Sequence, residues 1–261
     1  MCIRDRRCKY NAAFKNLHIA ASGNYNLFTT TNATYDPTLH VEDCTVDAAY
    51  NVVYDSHNTQ NFKSVYFGNS IVKMTVANKP FYSTKAKDAH TQQLIRLDNN
   101  VFYAETPLQN YLINCGDRSQ AFQTTRLQVE VTNNTIYNIY QPNIMIRAYV
   151  LAGLTVTKNV GYYTGVTAKS YLTGVYDTAG FTADKAEVTY NYLYTAPVSD
   201  TNFWSAKHTG SYTPANNQMG DGVEAPFSSM DAAKGYFPVD ASVVKTGAGA
   251  TYDTKAWFKA E

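Results

Sequence analysis

Short apolar stretches of the chain are interrupted by asparagine, and the interruption recurs. The stretch VEVTNNTIYNIYQ, residues 129–141, sets Asn133 and Asn134 between two apolar halves. Asparagine is unfavourable in strands and favourable in turns, so the pair marks either a hairpin loop or a bend of a repeated coil. Similar stretches elsewhere favour the repeated coil. The predicted anchors of the repeat are Cys44, Asn69, Asn100, Asn134, Asn159 and Asn191.

Two apolar columns and one tyrosine column accompany these anchors, which lie 25, 31, 34, 25 and 32 residues apart. Three residues before the anchors stand Val41, Tyr66, Leu97, Val131, Val156 and Val188. Two residues after them stand Val46, Ile71, Phe102, Ile136, Gly161 and Leu193. Three residues after the last four anchors stand Tyr103, Tyr137, Tyr162 and Tyr194. Only Gly161 departs from the two apolar columns, so the agreement indicates a structural repeat.

Each repeat also contains another short apolar piece upstream of the anchor strand. These pieces lie at residues 50–56, 79–85, 110–116, 143–149 and 170–176. Three short strands per repeat predict an all-β chain, folded as a right-handed parallel β-helix of about six to seven rungs. The first of these rungs is a weaker repeat at residues 14–30. Neighbouring rungs of such a coil lie ~4.8 Å apart.

Stacking of the rungs explains why asparagine recurs at the bend. A bend leaves backbone N–H and C=O groups inside the coil, and stacked asparagine amides hydrogen-bond to those groups and to each other. Asparagine also tolerates the left-handed backbone of a tight bend. We therefore predict an asparagine ladder, and we expect the tyrosine column to stack ring on ring. A propeller needs four strands per blade and a β-sandwich needs no asparagine column, so both alternatives fit less well.

The repeat divides the chain into three parts. Residues 1–13 match nothing in the repeat and are predicted to be a leader of doubtful origin, residues 14–195 form the β-helix, and residues 196–261 break the pattern. An open β-helix end exposes unpaired strand edges. We therefore interpret residues 196–261 as a cap or strap, with aromatic anchors at Tyr236, Phe237 and Trp257.

The repeated VTNNTIYNI-type rung, over residues 39–195, resembles the pectate-lyase-like β-helix superfamily. The closing DAAKGYF and GAGATYDTKAW, within residues 231–257, resemble the C-terminus of secreted β-helix proteins from bacterial polysaccharide-utilisation systems, several of which are known only as domains of unknown function. The resemblance implies a secreted or cell-surface protein that binds glycan along the face of the first strand. It fixes no activity, since one fold hosts many functions.

Composition excludes several classes of protein. Charged residues make up 16% of the 261 residues and the net charge is +1, which argues against a nucleic-acid partner. The chain is 44% hydrophobic, which argues against disorder. No apolar run approaches the roughly 20 residues of a membrane span. The opening MCIRDRRCKY lacks the apolar region of a signal peptide, and we expect the true N-terminus to be missing. We expect a monomer.

The cysteines offer no metal site. Cys2, Cys8, Cys44 and Cys115 form no metal-ligand spacing. The repeat places Cys44 and Cys115 on different coils and faces, too far apart for a disulfide. Both are therefore predicted to be buried thiols.

The first strands supply the candidate chemistry. Their predicted outward column is Tyr54, Ser83, Asn114, Arg147 and Gly174. A uronide lyase needs a base, for which Arg147 is the candidate, and commonly a Ca²⁺ ion on several carboxylates. The first-strand face offers only Asp55 and Asp117, which weakens the lyase hypothesis. The alternative for Arg147 is a structural cation bound to a neighbouring rung or to a backbone carbonyl.

Glycan binding requires exposed aromatic and hydrogen-bonding side chains. Sugar rings stack on tyrosine, although packing between rungs is the alternative for any of these rings. The predicted glycan-binding residues are Tyr54, Tyr82, Asn114, Arg118, Tyr149 and Tyr171. Tyr111, Tyr176 and Trp204 lie beside the same strands or in the tail.

A second polar group is predicted on the face of the second strands. Arg96 and Glu130 become direct neighbours on adjacent rungs, where a surface ion pair contributes under ~1 kcal/mol. Asp98 points outward beside Arg96, and the anchors place His40 and Glu42 two rungs away from that pair, with Val65 and Phe67 between. We therefore interpret Arg96 and Glu130 as a structural ion pair.

Three functions remain open from the sequence. The first is polysaccharide binding by a secreted β-helix, the second is a polysaccharide lyase acting on uronic-acid glycans, and the third is a structural or adhesive β-helix. The scarcity of carboxylates on the first-strand face favours binding over a lyase. The tyrosines beside that face favour binding over a purely structural role.

Overall fold

The protein is a parallel β-helix, seen in a computed structural model. The structure describes residues 6–8, 10–20, 25–30, 37–55, 62–84, 93–115, 127–142, 144–148, 152–164, 171–175, 185–196, 202–204, 212, 214–220 and 224–252. The strands of these residues form three sheets, and every pairing between their strands is parallel. Successive strands along the chain belong to successive sheets, so the backbone coils around one axis.

The three sheets contain eight, seven and eight strands. The first sheet has the order β1 (Arg6–Cys8), β4 (Phe28–Thr30), β7 (Val53–Asp55), β10 (Tyr82–Thr84), β13 (Ile113–Cys115), β16 (Ile144–Ala148), β19 (Tyr171–Val175) and β22 (Asn202–Trp204). The second sheet has the order β2 (Ala12–Lys15), β5 (Thr38–Glu42), β8 (Ser64–Gly68), β11 (Gln93–Asp98), β14 (Leu127–Thr132), β17 (Gly153–Thr157) and β20 (Ala186–Thr189). The third sheet has the order β23 (Gln218–Met219), β21 (Tyr192–Ala196), β18 (Val160–Thr164), β15 (Thr135–Tyr140), β12 (Val101–Gln109), β9 (Ile71–Met74), β6 (Thr45–Ala48) and β3 (His18–Ala20).

Strands extend beyond residues 14–195, the range predicted for the β-helix, at both ends. β1 and β2 begin within the predicted leader, and β22 and β23 lie in the predicted tail. The short β1 and β22 carry little apolar periodicity of their own, so only pairing with their neighbours identifies them as strands.

Alternate side chains of each strand fill the interior of the coil. In the second sheet the inward column is Val41, Phe67, Leu97, Val131, Val156 and Val188, and each is fully buried. In the third sheet the column Ile19, Val46, Val72, Phe102, Ile136 and Leu193 is also buried. Phe67, Phe81 and Phe102 meet edge to face, with ring centroids 4.8 Å apart in both pairs. Repetition of one rung therefore builds one continuous core.

The predicted asparagine ladder lies at the bend between the second and third sheets. Asn100, Asn134, Asn159 and Asn191 have no exposed surface. The backbone N–H of Asn100 donates to Oδ1 of Asn134 at 2.9 Å, and the N–H of Asn134 donates to Oδ1 of Asn159 at 3.0 Å. Each Nδ2 also donates to a backbone carbonyl of the preceding rung, as Asn134 does to Leu97 at 3.0 Å. The amides therefore satisfy backbone groups that no water reaches.

The ladder extends to Asn217, which the sequence analysis missed. The N–H of Asn191 donates to Oδ1 of Asn217 at 2.8 Å, and Nδ2 of Asn217 donates to the carbonyl of Val188 at 2.9 Å. Asn217 stands in a stretch without strong apolar strands on both sides, so its register was visible only after folding.

Asn69 was wrongly assigned to the ladder, because Ser70 occupies that position. The N–H of Ser70 donates to Oδ1 of Asn100 at 2.9 Å, and Oγ of Ser70 accepts from the N–H of Cys44 at 3.2 Å. The shift of one residue also replaces Tyr66 by Phe67 in the inward column of the second sheet. An Asn–Ser pair offers two polar residues to one bend, and the sequence alone favoured the asparagine.

The residue before each ladder position has a left-handed backbone. Asn69, Asn99 and Asn133 have φ angles of 50°, 55° and 55°. The equivalent Asp43, Lys158 and Tyr190 have φ between 52° and 57°. Asparagine and aspartate accept this conformation more readily than other residues with a Cβ. Where two asparagines are adjacent, the first therefore adopts the left-handed backbone of the turn and the second provides the ladder amide.

The third sheet has an outer face that changes character along the coil. Its first rungs present polar side chains, including His18, Thr45 and Asp47. Later rungs present apolar side chains that are buried in a second core: Ile71, Val101, Tyr103, Val160, Tyr162, Tyr192 and Tyr194. This second core lies outside the coil, so another segment must cover it.

The covering segment is residues 224–252, which we call the strap. Phe227 and Phe237 of the strap pack on the tyrosine column, and the ring of Phe237 stacks on Tyr137 with centroids 4.0 Å apart. Tyr162 stacks on Tyr137 at 5.6 Å and on Tyr194 at 4.8 Å. Tyr137, Tyr162 and Tyr194 therefore stack ring on ring, as predicted, whereas Tyr103 meets Phe237 of the strap at 5.8 Å.

Polar contacts fix the strap to the coil. The N–H of Thr251 donates to Oδ1 of Asn99 at 2.7 Å, and the N–H of Gly249 donates to the carbonyl of Lys158 at 2.8 Å. Gly235 has φ of 65°, and a Cβ there would lie 2.7 Å from Ile71 and 2.8 Å from Tyr103. Glycine is required at this turn for both its backbone conformation and its close approach.

Cys44 and Cys115 are both buried, as predicted. Cys44 occupies the ladder position below Ser70, and its thiol donates to the carbonyl of Glu42 at 3.2 Å. Burial raises the pKa of the Cys44 thiol. Separately, within the described part of the chain no helix is long and apolar enough to cross a membrane.

Removal of one ladder amide should destabilise the whole coil. Asn134→Ala deletes the acceptor for the N–H of Asn100 and the donor to the carbonyl of Leu97. That N–H and that carbonyl then remain buried without these hydrogen bonds. We expect a loss of about 3 kcal/mol in the free energy of unfolding, measured by urea denaturation. Asn133→Gly is the matched control, because glycine keeps the left-handed backbone; it should cost under about 1 kcal/mol. Equal losses in the two variants would contradict the ladder's role.

Truncation of the strap anchor should release the strap. Phe237→Ala removes a fully buried ring and is expected to cost about 3–5 kcal/mol. Amide hydrogen exchange of Ala250 and Thr251 should accelerate, because their N–H groups bond to the coil. Met230→Ala, at a half-exposed strap position, is the control. Unchanged exchange in Phe237→Ala would show that the ring does not hold the strap.

Stability should fall at alkaline pH. Burial raises the pKa of Tyr103 from 10.0 to about 12, and burial also raises the pKa of Tyr252. Both phenols stay protonated in the folded chain at a pH where the unfolded chain ionises them, so the folded state binds more protons and loses stability as pH rises. The urea midpoint should fall between pH 10 and pH 12. Tyr103→Phe should make that fall shallower; an identical pH profile would count against this cause.

Candidate functional site

The outward row of the first sheet has the predicted register. Tyr54 pairs with Ser83, Ser83 with Asn114, Asn114 with Arg147, and Arg147 with Gly174. The side chains of Tyr54, Ser83, Asn114 and Arg147 are half-buried, whereas their neighbours Val53, Ile113 and Ile146 are buried. The row therefore faces outward on consecutive rungs.

Arg147 is held by two neutral partners from the neighbouring rung. Its Nε and Nη2 both donate to Oδ1 of Asn114, at 3.0 and 2.6 Å. Its guanidinium also lies over the ring of Tyr111, 4.5 Å from the centroid. Both contacts stabilise the positive charge. This geometry corresponds to the structural alternative raised from the sequence, a cation bound to a neighbouring rung, and it also orients the guanidinium on an outward face.

A second cation on the same border repeats the arrangement. Nζ of Lys79 donates to the hydroxyl of Tyr50 at 2.6 Å and lies 4.0 Å from the centroid of that ring. Lys79 forms no ion pair with any residue in the described ranges. Tyr50 and Lys79 lie three residues before the paired Val53 and Tyr82, so they stand on adjacent rungs. Tyr50, Lys79, Tyr111, Asn114 and Arg147 span four consecutive rungs; we call them the cation–tyrosine stripe.

The sequence pointed to only part of the stripe. Tyr111, Asn114 and Arg147 were singled out, whereas Tyr50 and Lys79 were missed. Both missed residues precede the first strand rather than lying in it. The signal available in the sequence was their common offset of three residues from the strand positions Val53 and Tyr82. That offset predicts a contact between Tyr50 and Lys79 only when the register of the rungs is known.

Other predicted glycan-binding residues have different outcomes. Tyr82 was wrongly predicted, because it points inward, has no exposed surface and accepts a hydrogen bond from Nε2 of Gln93 at 2.7 Å. Tyr171 pairs with Ile144 through its backbone, but its side chain lies outside the described part of the structure. Arg118 and Tyr149 also lie outside the described residues. Trp204 is buried and packs on Tyr212, with centroids 4.8 Å apart.

A calcium site was considered for the lyase hypothesis. Among the residues that the structure describes, no group of three or more His, Cys, Asp or Glu side chains is arranged to hold a metal ion. The side chain of Asp55 and the whole of Asp117 lie outside those residues. Glu224 is exposed at the start of the strap.

The outer face of the second sheet carries another polar row. His40 pairs with Tyr66, Tyr66 with Arg96, and Arg96 with Glu130. Arg96 and Glu130 form the predicted cross-strand ion pair, with Nε and Oε2 2.8 Å apart. Val65 and Phe67 were wrongly placed on this face; both are fully buried, and Tyr66 lies there instead. The error follows from the same one-residue shift that assigned Asn69 to the ladder.

Comparison with known proteins leaves the family of the chain open. No family model, no curated protein and no solved structure matches it. The functional conclusions therefore depend on the geometry of the cation–tyrosine stripe and of the second-sheet face.

Proposed function

We propose that the chain is a polysaccharide-binding β-helix of the pectate-lyase-like superfamily, secreted or held at the outer cell surface in glycan utilisation. The observation that carries the proposal is the cation–tyrosine stripe. It places two positive charges and two tyrosine rings on one border of the first sheet. A polysaccharide is an extended ligand with alternating apolar ring faces and polar edges, and a stripe across several rungs matches that length.

The chemistry of the stripe favours an acidic glycan. Arg147 and Lys79 contact an amide oxygen, a hydroxyl and tyrosine rings of neighbouring rungs. These contacts orient two cations on one border of the first sheet, where carboxylate or sulfate groups of a glycan would gain charge-assisted hydrogen bonds. The rings of Tyr50, Tyr54 and Tyr111 lie on or beside the same rungs and offer faces for sugar rings.

A role in binding fits Arg147 better than a role as a general base. A base must give up its proton before it abstracts one, and guanidinium does so poorly. The bonds to Asn114 and the contact with Tyr111 instead hold the guanidinium in one orientation on the outward face. The lyase and the structural or adhesive β-helix therefore remain as outcomes of the test.

Affinity electrophoresis in polygalacturonate, alginate and chondroitin tests the proposal. We expect the wild-type chain to be retarded in at least one gel, and Arg147→Gln and Lys79→Gln each to weaken binding by about tenfold. Retardation should decrease with added salt. Lys234→Gln, an exposed lysine on the strap, is the control for the same change of charge.

Two results would overturn a binding role at this stripe. In the first, no acidic glycan changes the electrophoretic mobility of the wild type or of the variants; that result would favour the structural β-helix. In the second, the wild type forms an unsaturated product and Arg147→Gln does not. The product is measured by its ultraviolet absorbance, with and without Ca²⁺. That result would make the chain a lyase.

A further inference from the structure

The two cations of the cation–tyrosine stripe each reach back by one rung onto a tyrosine ring. Nζ of Lys79 lies 4.0 Å from the centroid of the Tyr50 ring, and Cζ of Arg147 lies 4.5 Å from the centroid of the Tyr111 ring. Hydrogen bonds hold both groups there, since Nζ donates to the hydroxyl of Tyr50 at 2.6 Å and Nη2 of Arg147 donates to Oδ1 of Asn114 at 2.6 Å. The positive charges therefore lie at the rungs of Tyr50 and Tyr111, each one rung before the backbone that carries it.

One rung lies between these two tyrosines. Val53 pairs with Tyr82, and Tyr82 pairs with Ile113 on the rung after it. Tyr50 precedes Val53 by three residues. Tyr111 precedes Ile113 by two residues, so the two tyrosines differ by one residue in their position along the strand direction. The two charges are therefore separated mainly along the coil axis, by two rung spacings of ~4.8 Å each, which is about 10 Å.

The rung between the two charges differs from its neighbours in chemistry. Lys79 begins this rung, but its charge lies over the ring of the preceding rung. Pro80 follows it, and Ser83 is the outward residue of the strand; neither carries a charge. A carboxylate that faced these two residues would lose water without gaining an ion pair from them, which is unfavourable. A neutral group meets no such cost there.

We propose that the stripe binds a glycan in which an acidic sugar alternates with a neutral one, and that this glycan lies along the coil axis. This specificity depends on glycan binding at the stripe, as proposed above, and adds the pattern of charge along the ligand. One pyranose residue of an extended glycan is about as long as one rung spacing, so carboxylates on every second residue meet the two cations. Lys79 and Arg147 then donate charge-assisted hydrogen bonds to two carboxylates of one chain. The neutral residue lies over the rung of Pro80 and Ser83.

The order of affinities for three glycans tests this spacing. Hyaluronan and chondroitin freed of sulfate carry a carboxylate on every second residue, whereas polygalacturonate carries one on every residue. Binding by charge density alone favours polygalacturonate. We expect the reverse order in affinity electrophoresis of the full chain. Retardation of the wild type in hyaluronan and in desulfated chondroitin should exceed that in polygalacturonate by about threefold or more.

A displaced cation separates the effect of spacing from that of net charge. Gly174 of β19 pairs with Arg147 and lies one rung further along the coil. Arg147→Gln combined with Gly174→Arg keeps the net charge, but a side chain that reaches back by one rung from residue 174 no longer arrives at Tyr111. We expect this double variant to lose about fivefold or more of the retardation in hyaluronan. Gly174→Arg alone is the matched control; it keeps both cations of the stripe and should be retarded like the wild type.

Two results would overturn the alternating pattern and leave glycan binding at the stripe in place. One is retardation of the wild type in polygalacturonate that equals or exceeds that in hyaluronan. The other is equal retardation of the wild type and the double variant in hyaluronan. Retardation in none of the acidic glycans would overturn both the pattern and the binding role. Thermal unfolding checks that each variant is folded, and the order of glycans for the wild type decides the question if the double variant is not.

Discussion

The rungs that carry Asn100 to Asn217 depend on side-chain amides stacked at one bend. The bend turns the chain from the second sheet into the third and buries backbone groups that water cannot reach. Each ladder amide makes two bonds to the preceding rung. Its oxygen accepts from the backbone N–H of the preceding ladder residue, and its nitrogen donates to a backbone carbonyl. The residues that do so are Asn100, Asn134, Asn159, Asn191 and Asn217. This reciprocal bonding sets the register of neighbouring rungs, and the register sets which side chains stack on every face.

The strap follows from the same register. Once the rungs are aligned, the residues three after Asn100, Asn134, Asn159 and Asn191 form a tyrosine column on the outside of the third sheet. Such a column is too apolar to face water over several rungs. Phe227 and Phe237 cover it, and the strap ends by bonding to Asn99 at the bend. The left-handed residue of the bend thus serves the strap through its side chain.

The two remaining faces use one backbone geometry for different chemistry. On the first sheet, Arg147 and Lys79 are oriented by tyrosines and an amide, and the border they form is cationic. On the second sheet, the ring of Tyr66 packs on that of His40, and Arg96 forms an ion pair with Glu130. A parallel β-helix repeats its side-chain positions at the rung spacing of ~4.8 Å, so both faces present extended rows suited to extended ligands.

The β-helix, the ladder at four of its asparagines, the outward row around Arg147 and the pairing of Arg96 with Glu130 were all predictable from the amino-acid sequence. The repeat recurs on many rungs, so an error in one rung does not change the pattern of apolar positions. The presence of Ser70 instead of Asn69 in the ladder was not predictable, because two adjacent polar residues fit one bend equally well until contact with the neighbouring rung selects one. The inward orientation of Tyr82 and the contact of Lys79 with Tyr50 also depend on the register between neighbouring rungs. The sequence of a single rung does not specify that register.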